Sequence, residues 1–306
     1  MRSAYVTSHD VGSRQHPACA DNLANLAGNK EPYFFLQVTV MTEPPNLDMA
    51  PDAFDDQYEG CVEEMEKKAP ELLRKDFNMS RWLKLKWEKA GKKWEKIKSG
   101  MSYPKGFHDF HGTALVTYTG GIHKDFNGAV REFKKNPGNF HYRAFHYYLT
   151  RALQLLSNQN CYSVYRGTED RFHYSGKGSV RFGQFASSSL NKEMALKDFD
   201  GATGTLYTIK TCLGVYIKAF SYYPSEEEVL IPAYEVYHKV SVAQSGKEIF
   251  LDSPRREKSN FNCFYSGSPE ADYSHLNSSG ARDGCAFLLL VVIPGLLVLL
   301  LPLVEL

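Results

Sequence analysis

Three short segments in the second half of the chain carry side chains able to act on a phosphate-bearing substrate with a glycosidic bond. VYRG ends on Arg166 and Gly167. A planar guanidinium grips a phosphate through two parallel N–H donors, and a neighbouring glycine lets a ligand approach the backbone. RFGQFASSS closes on Ser187, Ser188 and Ser189, hydroxyls that can orient a partner or cap the NKEMALKDF segment behind them. Glu226, Glu227 and Glu228 run straight into the apolar VLIP. In an extended chain Glu226 and Glu228 fall on one face and Glu227 on the other. Two carboxylates on one face can divide the work at a glycosidic bond, one stabilising an oxocarbenium-like centre and the other polarising the nucleophile. Each segment alone has an ordinary reading: a structural arginine, a helix cap, a solvated acidic loop. Their order along one chain is what points to chemistry.

The elements that must position them change character near Asn160. Beyond it, CYSVYRG, SVRFGQFASSS, GTLYTIKTC, GVYIKAF, EVLIP and AYEVYHKVSV are short runs rich in Val, Ile, Tyr, Phe and Thr, broken by Gly, Pro and Asn. They predict successive strands, and their alternation favours antiparallel or mixed pairing over a doubly wound parallel sheet. Between Cys61 and about Asn136 the pattern is mainly helical. Leu83, Trp87, Ala90, Trp94 and Ile97 form one apolar face, and a second aromatic helix is expected around Asn139 to Ser157. The segment RWLKLKWEKAGKKWEKIK holds eight basic and two acidic residues. It suits a membrane-surface or polyanion-binding helix, but is read first as a tryptophan stripe packed on the domain with a solvated lysine face. The fold class expected is α+β, a helical N-terminal part on a β core.

The chain has 306 residues, 43% hydrophobic and 23% charged, which is globular usage. Its 36 Lys and Arg against 35 Asp and Glu leave a formal charge of +1, which argues against a generic nucleic-acid binder. Residues 1–45 are read as a leader without a clear signal peptide, residues 46–265 as the functional domain (46–160 mainly helical, 161–265 β-rich), and 266–306 as a polar stalk and tail. Ala286 to Val304 carries no charge and follows small residues at Ser278, Ser279, Gly280 and Ala281. That order matches a glycosylphosphatidylinositol attachment signal, with a retained tail anchor as the alternative. Cys19 and Cys285 fall in the outer segments. Cys61, Cys161, Cys212 and Cys263 suggest two bridges with three possible connectivities, and none has zinc-ligand spacing, so no metal is expected. Asn78 and Asn277 begin glycosylation sequons.

Taken together, VYRG, FGQFASSS and EEEVLIP resemble the R-S-ExE pattern of the arginine-specific mono-ADP-ribosyltransferases. The likeness runs from about Leu47 (NLDMAPDAFDDQYEGC) through SYPKGFHDFHGTALVTYTGG to YEVYHKV, and is close enough to point to the vertebrate lipid-anchored ecto-enzymes. The resemblance implies a helical subdomain on a split mixed or antiparallel sheet that clasps NAD, the co-substrate, and transfers ADP-ribose to protein arginines at the cell surface. It implies that Arg166 holds the NAD phosphates, that Ser187 orients the catalytic glutamate, and that Glu228 is that glutamate. Glu226 would recruit the acceptor guanidinium, Tyr118, Gly167, Gln184 and Ser221 would contact NAD, and Tyr222 or Tyr223 would stack on the target arginine. It further implies the pairs Cys61–Cys263 and Cys161–Cys212. An NAD glycohydrolase, or an inactive surface-binding protein on the same scaffold, are the alternative readings.

Overall fold

The computed structural model describes residues 45–197 and 204–266. All of the leader before residue 45, the stalk and tail beyond residue 266, Cys19, Cys285 and the Asn277 sequon lie outside the described residues.

Five helices fill the N-terminal half: α1 (Val62–Met79), α2 (Arg81–Ile97), α3 (Asp109–Thr117), α4 (His123–Arg131) and α5 (Arg143–Leu156). The α2 stripe packs as its spacing predicts. Leu83, Trp87, Ala90 and Trp94 are buried, and the Ser80 hydroxyl caps the helix by accepting from the Leu83 N–H at 3.1 Å. Gly112 of α3 lies flat against the Trp94 indole, where a Cβ would come within 2.4 Å of the ring. The same indole donates to Asp109 at 2.8 Å and stacks on Phe220, with centroids 5.8 Å apart. Between α3 and α4 a π-helical turn, Tyr118–Ile122, contains Gly121 at φ +91. That left-handed glycine re-aims the chain, so Tyr118 and the first residues of α4 face the sheet.

The β half contains β1 (Tyr162–Thr168), β2 (Ala186–Ser189), a short helix α6 (Lys192–Lys197), β3 (Thr205–Thr211), β4 (Val215–Tyr216), β5 (Glu228–Ile231), β6 (Glu235–Val242) and β7 (Glu248–Arg256). They form one open sheet in the order β4-β5-β2-β1-β3-β7-β6, in which β3 and β7 run parallel and the other neighbours antiparallel. The fold is α+β with a mixed sheet. β1 pairs with β3 along its whole length, yet with β2 it shares only the Tyr165–Ser189 register. The sheet is therefore split into two halves that part at the ends of β1 and β2.

Two sequence expectations need revision. SVRFGQFASSS is regular only over Ala186–Ser189, with Val180 making an isolated bridge to Tyr237. Gly183 interrupts it at φ +63, with Ala50 where a side chain would sit. The run GVYIKAF forms a strand only at Val215–Tyr216 and then coils into a 3₁₀ turn, Lys218–Phe220. Strand β7 had no counterpart in the sequence reading, because KEIFLDSPRR is charged and carries Pro254, a residue uncommon inside a sheet.

The two disulfides are Cys61–Cys263 and Cys161–Cys212. The first is reinforced by two buried carboxylates. Asp55 accepts from the N–H groups of Asn260 and Phe261, and Asp56 from those of Cys263 and Phe264, all between 2.9 and 3.0 Å. Arg181, also buried, pairs with Asp55. This lacing joins the segment before α1 to the last described residues, so both ends of the domain close on one core.

Candidate active site

A cleft of about 520 Å³ opens between the π-helical turn, α4 and the split in the sheet. Its lining includes Tyr118, Arg166, Gly167, Gln184, Ser187, Glu226 and Glu228, so the structure brings seven of the eight residues expected in catalysis or NAD contact to one place. Ser221 is the exception. It is buried away from the lining, and its hydroxyl accepts from the Tyr223 N–H at 2.9 Å, a turn-forming role.

Strand register explains the convergence of Ser187 and Glu228. Ser187 lies opposite Leu230 and Ser189 opposite Glu228. Cross-strand partners share a face and alternate residues repeat it, so Ser187 and Glu228 are diagonal neighbours on the helix-facing side. Ser187 Oγ is within hydrogen-bonding reach of both the Glu228 carboxyl group and Tyr118 Oη, the latter at 3.3 Å, and its single proton serves one of the two at a time. The remaining serines are structural: Ser188 donates to the Val229 carbonyl at 2.6 Å, and Ser189 to the Glu226 carbonyl at 2.7 Å. Ser189 also accepts from Asn191 N just ahead of α6, but the helix is capped by Asn191 itself, whose Oδ1 accepts from Glu193 N at 2.9 Å, and not by one of the three serines. Two of the three hydroxyls thus fasten the strand that carries the carboxylates.

Arg166 belongs to the other half-sheet. Its Nη1 donates to the Ser187 carbonyl at 2.7 Å, where β1 and β2 no longer pair through their backbones. The guanidinium bridges the split.

The acidic triplet is not the extended run that its alternation suggested. Pro224–Glu226 is a 3₁₀ turn, Glu227 is left-handed at φ 47, and the strand begins at Glu228. Pro224 favours the turn by fixing φ, and the left-handed residue then reverses the chain into β5. Glu226 and Glu228 both reach the cleft nonetheless, while Glu227 turns aside to Lys218 at 3.2 Å. The two carboxylates differ in setting. Glu226 is half-buried, whereas Glu228 is 3% exposed and pushed up to about 7. Burial is the main cause and the nearby Glu226 charge adds to it, against the Ser187 hydrogen bond and Arg166. Burial likewise pushes Tyr118 up to about 12, with Glu228 contributing.

Sequence reasoning missed one wall. His123, Asn127 and Arg131 of α4 line the cleft with Lys124. Their i, i+4, i+8 spacing was a legible signal, a polar stripe on one helix face. Asn127 donates to Tyr118 Oη at 3.2 Å and to the Phe185 carbonyl at 2.9 Å. Three buried polar atoms of lining residues have no protein partner: Arg166 Nε, Gln184 Oε1 and Asn127 Oδ1. Buried donors and acceptors ordinarily find partners, so these suit a polar ligand, and the cations around them suit a phosphate-bearing one. Of the two tyrosines beside the triplet, Tyr223 lines the cleft and is 57% exposed. Tyr222 instead lies under Lys93, whose Nζ is 4.0 Å from its ring and donates to the Ser221 carbonyl at 2.8 Å.

Glu66, His108 and His111 cluster away from this cleft at distances a metal could bridge. The ring nitrogens argue for another role. His111 Nδ1 accepts from His108 N and His108 Nδ1 from Phe110 N, which leaves the protons on both Nε2 atoms, facing the Glu66 carboxylate. The cluster ties the start of α3 to α1.

The NAD:arginine ADP-ribosyltransferase family model matches residues 47–259. T-cell ecto-ADP-ribosyltransferase 1 of Mus musculus is 65% identical over 272 residues, spanning 88% of this chain and 94% of its own length. The GPI-linked NAD(P)(+)–arginine ADP-ribosyltransferase 1 of Mus musculus is 37% identical over 254 residues, spanning 76% and 77%. A crystal structure of the eukaryotic mono-ADP-ribosyltransferase ART2.2, a mutant in complex with NAD, superposes with a TM-score of 0.71 at 68% identity. It covers 72% of this chain and 100% of its own.

Proposed function

The chain belongs to the NAD:arginine ADP-ribosyltransferase family, which moves ADP-ribose from NAD to arginine with release of nicotinamide, and we propose that its cleft does so through Arg166, Ser187, Glu226 and Glu228. NAD is the co-substrate. The orphaned polar atoms of Arg166, Gln184 and Asn127 fit a dinucleotide, and Arg166, Gly167, Gln184 and Tyr118 are the residues that would hold it. When bound, NAD supplies a cationic leaving group.

The observation that carries the assignment is the pair of unequal carboxylates in one cleft. Ionised Glu228 sits in a buried site, where its charge stabilises positive charge developing at a ribose far more than it would in water. Ser187 holds that carboxylate in place, and Arg166 fixes the position of the strand bearing Ser187. Glu226, half-buried, is able to accept hydrogen bonds from an incoming guanidinium and take its proton at the moment of attack. Tyr223 offers a ring face to the same cation.

The test is incubation of the purified domain with labelled NAD and agmatine, a small guanidine acceptor. Transfer to agmatine is expected from the native chain. Glu226→Gln is expected to lose that transfer while still releasing nicotinamide to water. Free ADP-ribose as the sole product of the native chain would favour the glycohydrolase reading, and no turnover the inactive binder. Protein arginines are the acceptors in this reading.

The relatives' ecto- and GPI-linked names support a cell-surface location. We take residues 46–265 as the transferase domain (46–160 helical, 161–265 β-rich) and residues 266–306 as its stalk and lipid-anchor signal. No helix among the described residues is long and apolar enough to cross a membrane. Release of surface enzyme by a phosphatidylinositol-specific phospholipase tests the anchor.

A further inference from the structure

Helix α2 carries a feature that the transfer reaction does not use. Of its three tryptophans, Trp87 and Trp94 are buried, but Trp82 is 45% exposed, as is Leu85 at 58%. At about 100° per residue, Arg81, Lys92, Leu85, Lys96, Lys89 and Trp82 fall in that order within an arc of about 100° on the side opposite the buried stripe. The four cations of this arc are exposed, and none enters an ion pair among the described residues. Both acids of the helix lie outside the arc, where Glu88 faces Lys84 and Glu95 faces Lys98. A merely solvated helix intersperses the two signs. Here, on a chain of formal charge +1, four unpaired cations surround two large apolar side chains. The indole is also held in place. Lys86 Nζ lies 4.4 Å from the Trp82 ring while donating to the Gly120 carbonyl at 2.8 Å.

We propose that the outer face of α2 docks on an anionic lipid surface, with its cations among the headgroups and Trp82 and Leu85 at the headgroup–acyl boundary. Charge alone would suit any polyanion. The apolar pair selects lipid, because a sulfated polysaccharide neutralises lysines yet leaves an indole and a leucine in water, whereas a bilayer interface takes up both. The arc shares no residue with the cleft, so docking and transfer are separable. Residues 45–266 contain both disulfides and all the described core, and the whole ART2.2 chain aligns with 72% of this sequence. The domain is thus a folding unit that can be tested without the apolar tail.

The experiment measures partitioning of that domain, prepared without N-linked glycan, onto vesicles of pure phosphatidylcholine or with one third phosphatidylserine. Binding is expected to the anionic vesicles only, to weaken with salt, and to shift tryptophan emission to the blue. Each cation near an anionic surface is worth about fivefold in binding. Neutralisation of Lys89, Lys92 and Lys96 to Gln should therefore lower partitioning about 100-fold, and Trp82→Phe should abolish the emission shift. Both variants should keep agmatine modification and the native melting temperature. Undiminished vesicle binding by the triple variant, equal binding to neutral vesicles, or retention on heparin without vesicle binding would each overturn the proposal.

Discussion

On the role proposed for Glu228, Glu228→Gln should separate what the protein needs to fold from what it needs to act. The native carboxyl is raised from 4.5 to about 7, chiefly by burial. Between those values the folded chain binds more protons than the unfolded one, so stability falls as pH rises through that window. At 1.36 kcal/mol per pH unit, the ionised side chain costs the fold about 3 kcal/mol above pH 7. Glutamine has the same shape and no charge. The variant should therefore be more stable than the native protein by about 3 kcal/mol near pH 8. That corresponds to roughly 6–12 °C in Tm for a domain of this size, and the difference should shrink towards zero near the unfolded-state value of 4.5. Transfer and NAD cleavage should both disappear. Thermal unfolding followed by circular dichroism across this pH range, with nicotinamide release measured alongside, gives both readouts. A Tm at high pH no greater than the native value, or a gap that does not change with pH, would refute the electrostatic argument. Full turnover by the variant would remove Glu228 from its role.

Ser187→Ala removes a hydrogen bond that holds Glu228 down. The acid limb of the pH–rate profile should move to higher pH and kcat/KM should fall about tenfold, whereas an unmoved limb would show that the hydroxyl serves only packing. Arg166→Lys replaces a planar fork with a point charge that cannot bridge to the Ser187 carbonyl and grip phosphate together. KM for NAD should rise and kcat/KM fall about 100-fold with the native circular dichroism spectrum retained, and native kinetics would refute the bridging role. Lys93→Met cuts the Ser221 hydrogen bond and the Tyr222 ring contact that hold the loop leading to Glu226. KM for agmatine should rise about fivefold, the worth of about one net hydrogen bond, with KM for NAD unchanged. The reverse pattern would show that Lys93 acts on the dinucleotide instead.

What the sequence made legible follows from what each signal depends on. The α2 stripe was readable because helix burial repeats every three to four residues, and Leu83, Trp87, Ala90 and Trp94 obey that rule without help from elsewhere. Strand β7 was not, because its place beside β3 is set by pairing partners and by β6, and neither its charges nor Pro254 advertise a sheet interior. The cleft residues divide similarly. Arg166, Ser187 and Glu228 stand on strands where order along the chain suffices to flag them. Ser221 carries the same side-chain type as Ser187, but its direction is decided by the turn into Tyr223, which no motif encodes. The α4 wall lay within reach, since His123, Asn127 and Arg131 repeat every four residues. Polar stripes, however, ordinarily face water, and only the re-aiming at Gly121 turns this one inward.

The split in the sheet ties these particulars together. A continuous ladder between β1 and β2 would satisfy every backbone group at their shared edge and leave no reason for a guanidinium there. Because pairing stops after Tyr165–Ser189, the Ser187 carbonyl needs a donor, and Arg166 supplies it from the other half-sheet. That one contact fixes Ser187, whose hydroxyl fixes Glu228, so the carboxylate we propose to act at the ribose is positioned by a gap in the secondary structure. Its burial follows from the same gap, since the cleft there is shut off by α4 and the π-helical turn. The feature that weakens the sheet is thus the one that raises Glu228 and aims it, which is why the stability lost there and the chemistry gained should vanish together when its charge is removed.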